Sequence, residues 1–200
     1  MSYGKQNEGR VLPEFTVDDL GISFKVVLLD SVRTKAGPSG PEVLIPDYQG
    51  LIKKIAVTRS THPRKLLGAD IRFLRKSLGL KSKELAEKID ISPEHLSRCE
   101  AGDKVLSSNS EKALRSLIVL EAVLVLQRAL EDANCAKPVL MDKLAKLLER
   151  LQAIMSGMKI SPLHSANEEL TFHFRRVNRS AKRPANDEDT SDPEWLDEAA

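Results

Sequence analysis

Ser82-Lys83-Glu84-Leu85-Ala86-Glu87-Lys88-Ile89-Asp90-Ile91-Ser92-Pro93-Glu94-His95-Leu96-Ser97-Arg98-Cys99-Glu100-Ala101-Gly102 is the stretch that decides the fold. Ser82 reads as the N-cap of a helix over Lys83 to Ile89, because its hydroxyl can accept from an otherwise orphaned amide. Asp90-Ile91 reads as a tight turn. Ser92 then stands at N-cap and Pro93 at N1 of a second helix, where the missing N–H of proline costs nothing. That helix runs to about Ala101 and stops at Gly102. Ala86 falls where the two helices cross, and only a small side chain fits there. Leu85, Ile91 and Leu96 point inward. Two short helices about a tight turn, with a small residue at the crossing, describe a helix-turn-helix.

Working outward, Ala69 to Leu78 places Ile71, Leu74, Arg75 and Leu78 near one helical face, and Gly79 ends it as a C′ glycine. Downstream, Ser108-Asn109-Ser110-Glu111 reads as a capping box for a long helix to about Leu130. Its segment Leu117 to Leu126 is apolar almost all round, which predicts burial on most sides. Pro138 opens another helix, in which Leu140, Leu144, Leu147, Leu151 and Ile154 step by 4, 3, 4 and 3. That a/d seam suits a helical hairpin or a dimer interface. Phe24 to Leu29 reads as a strand, Lys35 to Pro41 as a turn with two Gly and two Pro, and Glu42 to Pro46 as a second strand. Tyr48 to Val57 reads as a short helix. Phe172 and Phe174 alternate with polar residues, a weak strand signal.

Composition narrows the function. The 200 residues are 41% hydrophobic and 30% charged. The longest apolar stretch is about half of a membrane span, so no membrane association is expected. The polar N-terminus predicts no signal peptide. Two cysteines, Cys99 and Cys135, support neither a disulfide framework nor a Cys-rich zinc site, so a cytoplasmic location is expected. The net charge of +2 hides an asymmetry: residues 187–200 hold seven acidic side chains and no basic one, leaving +9 on the other 186 residues. Lys53 to Lys88 carries eleven Lys/Arg against three acids. A basic block beside an acidic tail points to a polyanionic partner.

The decisive stretch resembles the helix-turn-helix of the Cro/XRE repressor family in its Leu85-Ala86 pair, its apolar Ile91 followed by serine, and its Leu-Ser-Arg-x-Glu-x-Gly ending at Leu96–Gly102. His62-Pro63-Arg64-Lys65-Leu66, followed by Ile71-Arg72-Phe73-Leu74-Arg75-Lys76, resembles the C-terminal half of MqsA-type antitoxins. Many of that family carry a β-hairpin zinc knuckle ahead of it, and Asp19 to Leu51 is similar in layout. The turn Lys35-Ala36-Gly37-Pro38-Ser39-Gly40 has no Cys-x-x-Cys, so no zinc is expected and the hairpin must hold by packing. The resemblance implies double-stranded DNA as partner, a homodimer, and a toxin as a further protein partner.

In that reading the second helix enters the major groove by its N-terminal end. Arg98 is the candidate for guanine O6 and N7, and Glu94 for cytosine N4. Ser92 and Pro93 lie at the entry. His95 and Ser97 suit phosphate or water-mediated contacts. Ser82 and Lys83 start the first helix, whose positive end can face a phosphate, and Lys81 and Lys104 flank the groove. The blander alternatives are an Arg98–Glu94 pair on a solvated helix face and Glu100 as a structural acid. Cys99 reads as a partly buried filler. His62, His164 and His173 stand in unrelated segments, so no metal is expected. No phosphate loop or nucleophile motif occurs, so neither a cofactor nor catalysis is expected.

The sequence therefore predicts a mainly α protein: a λ-repressor-like helix-turn-helix domain with a small N-terminal β-hairpin and long C-terminal helices. Its expected organisation is a flexible N-terminus (1–18), a hairpin-plus-helix subdomain (19–60), the DNA-binding domain (61–130), a helical dimerisation region (131–175) and a disordered tail, basic then acidic (176–200).

Overall fold

The computed structural model describes residues 10–37, 40–132, 137–161, 169–177 and 194–198. Among these, the strands are β1 (Val11–Thr16), β2 (Lys25–Gly37), β3 (Gly40–Leu44), β4 (Thr171–Val177) and β5 (Glu194–Glu198). The helices are α1 (Tyr48–Thr61), α2 (Gly68–Ser77), α3 (Ser82–Lys88), α4 (Pro93–Ala101), α5 (Ser108–Asp132) and α6 (Lys137–Ser156). No helix among them is long and apolar enough to cross a membrane.

The strands form one sheet in the order β1-β2-β4-β5, with β3 pairing the far end of β2. Helix predominates, as the reading of a mainly α protein has it, but the small hairpin is corrected: it is part of a five-stranded sheet. β2 is central. Its Val26, Val27 and Leu28 are buried in succession, and because successive side chains point to opposite faces, both faces of the strand are covered there. β1 pairs with it antiparallel and β4 parallel. The expected hairpin exists, but its arms run on through the Gly/Pro-rich segment: Gly37 faces Gly40, and only positions 38 and 39, outside the described residues, lie between.

Two segments expected to be unstructured pair into this sheet. Val11 to Thr16 forms β1, and Glu194 to Glu198 forms β5 within the acidic tail. Of the remainder, residues 176 and 177 end β4, while residues 1–9, 178–193 and 199–200 lie outside the described residues, as do Cys135 and His164. β5 is held by Trp195, which is buried and donates its indole N–H to the Asp47 carbonyl at 3.1 Å. Asp197 accepts from Lys54 on α1 at 2.8 Å. An acidic segment thus pairs because one aromatic anchors it and basic groups meet its carboxylates.

α1 extends to Thr61, past the expected Val57, and buries Leu51 and Ile55. Its last turn carries Arg59, which is buried with Asp70 of α2 at 2.8 Å and donates to the Arg64 and Lys65 carbonyls. Ser23, ahead of β2, donates its hydroxyl to the other Asp70 oxygen at 2.6 Å. A second buried charge cluster lies beside it. Arg115 of α5 pairs with Glu111 at 2.8 Å and donates to the Ser60 and Arg64 carbonyls. Glu111 also accepts from the Leu66 amide and pairs with Lys65 at 2.7 Å. Buried charges are tolerated when paired and hydrogen-bonded in this way, and here the Arg59 Nε is left without a partner among the described residues. Together the clusters fasten the 62–67 connection to α1, α2 and α5.

The same partners overturn the capping box read at 108–111. Glu111 is turned inward, and the helix is capped by Ser107, whose hydroxyl accepts from the Ser110 amide at 3.1 Å. The expected burial of Leu117–Leu126 is also one-sided: Ile118, Val119 and Val123 are buried, while Leu120, Leu124 and Val125 are exposed. α6 folds back on α5 within the chain. Its seam runs from half-buried Leu140 and Leu144 through Leu147, packed on the core, to fully buried Ile154.

Candidate nucleic-acid interface

α3 and α4 are positioned by local chemistry. α3 starts at Ser82 with Lys81, not Ser82, as its N-cap, and Glu84 reaches back to accept from the Lys81 amide at 2.7 Å. Ser82 is therefore the first helical residue and does not cap. At the turn Asp90 takes a left-handed conformation (φ 54°), one that aspartate tolerates better than most residues. The Ile91 amide closes the turn on the Ala86 carbonyl at 3.0 Å. Ser92 caps α4 by accepting from the His95 amide at 3.1 Å, and Pro93 opens the helix. Gly102 ends it with φ 90°. Leu85, Ala86 and Leu96 are fully buried at the crossing.

This leaves one face of α4 in solvent. Ser92, Pro93, Glu94, Ser97 and Arg98 are exposed, and so are Lys81, Lys83 and Lys104. Ser82 is half-buried. His95, also half-buried, lies with Nε2 3.7 Å from the Cys99 Sγ, so its ring is turned partly toward the interior. The Glu94 carboxyl is held below its ordinary range by its own backbone amide and by the Ser92 hydroxyl, and it stays ionised over the helix N-terminus. The surface is not uniformly basic: exposed Glu84, Glu87, Asp90 and Asp103 interleave with the lysines.

The opposite face of α4 is fastened. Glu100 is buried and takes both arms of the Arg75 guanidinium, at 2.6 and 3.0 Å. That hydrogen-bonded pairing raises the already high pKa of Arg75. Glu100 is thus a structural acid. Cys99 is wholly buried rather than partly, and burial pushes its thiol pKa up, which disfavours a reactive thiolate. Gly68 at the start of α2 lies so close to the end of α4 that a Cβ would meet the Cys99 and Glu100 carbonyl oxygens at 2.6 and 2.7 Å.

Residues that set the site but escaped the sequence reading are Arg75 as the clamp on Glu100, and the Arg59–Asp70 and Arg115–Glu111 pairs behind it. Their only sequence signal is charge, which in a chain of this composition normally marks a surface.

Residues 71–110 match the family model for the helix-turn-helix, of Cro/XRE type. Comparison with curated proteins and with solved structures gave no match. The segment is a DNA-binding domain.

Proposed function

We propose that this chain is a sequence-specific transcriptional regulator, a dimeric repressor of its own operon that acts by binding rather than by catalysis, in the cytoplasm. The observation that carries the reading is the two-sidedness of α4: Glu94, Ser97 and Arg98 project into solvent from a helix whose other side is locked by Leu96, Cys99 and the Arg75–Glu100 pair. A rigid helix that presents exposed polar side chains from its first turn, at Glu94, to its last, at Arg98, suits the major groove. Arg98 contacts guanine, and Glu94, once drawn off its own amide, selects cytosine. Ser92, Pro93, Ser97 and His95 lie along the groove, and Lys81, Ser82, Lys83 and Lys104 face the phosphates.

The α6 seam is used within the chain, so dimerisation falls to the outer face of the α5–α6 hairpin. Leu120, Leu124, Met141, Leu148 and Met155 are exposed there. The last three recur every seven residues, a spacing that lines one helix face.

The test is binding of the purified protein to its own upstream DNA across a salt series, with Arg98→Ala alongside. Tight, salt-sensitive binding at one site that Arg98→Ala weakens supports the reading. Salt-independent binding, or none at low salt, overturns it.

A second reading is antitoxin-like capture of a toxin or another protein partner. The β2–β3 arm favours it: every residue of β3 is exposed, Val43 and Leu44 among them. Among the described residues β3 pairs only with β2, and such an open edge suits strand addition by a partner.

A further inference from the structure

Behind the helix-turn-helix, a cleft of about 340 Å³ opens between α1, α5 and α6, with the end of α2 on one side and β5 at the rim. That volume lies within the range of small-molecule sites. Its walls are apolar: Val57, Leu78, Ile118, Ala122, Val125 and Leu147 line it. Its polar groups are mainly cationic. Lys53, Lys54, Lys143, Lys146 and Arg150 stand around it against Glu121 and Glu194.

The cations are not equally committed. Lys54 is held by Asp197, Lys143 by Glu194, and Lys146 by Asp142 on its own helix. Lys53 and Arg150 make no ion pair within 4 Å among the described residues, although Arg150 lies in the field of Asp197; Glu121 makes none either, so the unpaired charge around the cleft is two positive against one negative. An apolar space with uncommitted positive charge at its mouth is complementary to one kind of occupant. The apolar walls take a hydrocarbon body, and the rim takes a single negative head. A neutral solute leaves the charge unused, and a cation meets repulsion.

We propose that this cleft binds a small amphipathic anion, an aliphatic or aromatic body bearing one carboxylate, with Lys53 and Arg150 receiving the head. Ser77 and Leu78 end the first helix of the DNA-binding domain and line the same cleft, so an occupant touches that domain directly. The site does not depend on the DNA reading, and its test uses no DNA.

The experiment is calorimetric titration of the full chain with decanoate and decylammonium, each below its micelle concentration, and with decanol below its solubility limit. Decanoate binds and raises the melting temperature, and the other two bind at least tenfold more weakly. Lys53→Glu with Arg150→Glu weakens decanoate about tenfold or more, the scale of one charge-assisted hydrogen bond. Lys35→Glu, a charge change on the β2 arm, leaves its affinity unchanged. Val125→Trp, which fills the cleft from a partly exposed position, abolishes it while circular dichroism shows the fold intact. Equal binding of decanol and decanoate overturns the anionic assignment. No binding to folded protein, or binding that survives Val125→Trp, overturns the site.

Discussion

Arg75 of α2 grips Glu100 of α4 through two hydrogen bonds, 2.6 Å from Nε and 3.0 Å from the second terminal nitrogen. The first helix of the domain therefore sets the angle of α4, the helix proposed above to enter the major groove. The contact spans 25 residues of sequence and is largely screened from water, so it is worth more than an exposed pair. Arg75→Ala leaves the Glu100 carboxylate buried without its main partner. We expect a loss of about 2–3 kcal/mol in urea unfolding, with DNA affinity falling in parallel. Unchanged stability would show that Glu100 finds water instead.

Arg98→Ala separates recognition from folding. The Arg98 side chain is exposed and makes no ion pair among the described residues, so its loss leaves the melting temperature unchanged. Discrimination between the cognate site and one with its guanine replaced falls by about 1–3 kcal/mol. Competition binding with the two duplexes measures it. Lys83→Ala, by contrast, weakens both duplexes equally and lowers the salt slope by about one.

Gly68→Ala tests the closeness of α2 to α4. The added methyl meets two backbone carbonyl oxygens, which cannot rotate away as a side chain would. Thermal unfolding should show a loss of about 1–3 kcal/mol, the scale of overpacking. A neutral result would mean that the two helices separate freely.

The start of α5 distinguishes two capping schemes. Ser107→Ala removes the hydroxyl that accepts from the Ser110 amide and costs about 1 kcal/mol. Ser108→Ala changes little, because Glu111 is engaged with Arg115, Lys65 and the Leu66 amide. The reverse ranking in urea unfolding would restore the capping box.

The docking of β5 carries an acid dependence. Burial acts to raise the Asp197 pKa, but the hydrogen bond and charge of Lys54, its own backbone amide and Arg150 outweigh burial and hold it below the ordinary 3.8. A carboxyl with a lowered folded pKa stabilises the fold fully above its unfolded value. That contribution is lost as pH falls through the folded one. The chain has one tryptophan, Trp195, in this strand. Its fluorescence should report release of β5 below about pH 4, and Asp197→Asn should weaken β5 at neutral pH and flatten this dependence.

The helix-turn-helix was legible in the sequence because its determinants are local. Ser92 and Pro93 start α4, Gly102 ends it, and Asp90 fits the left-handed turn, each through contacts a few residues away. Ala86 shows in the sequence because size alone decides what fits at a crossing. The exposed set Glu94, Ser97 and Arg98 followed from the same periodicity. The sheet was half legible. β2 announces itself by an apolar run, but β1 and β5 are short, and β5 is acidic; they become strands only because β2 and β4 present edges to them. The pairing of β2 with β4 joins segments about 145 residues apart, and no local pattern encodes which strands will meet. The buried charges were the least legible. Arg59, Asp70, Glu111 and Arg115 would be surface residues in most chains, and Ser107 displaced Ser108 as a cap because Glu111 had better partners inside. Local propensity and size are properties of the sequence itself. Whether a charge is buried depends on the groups that the completed fold brings to meet it, and only the tertiary structure supplies those.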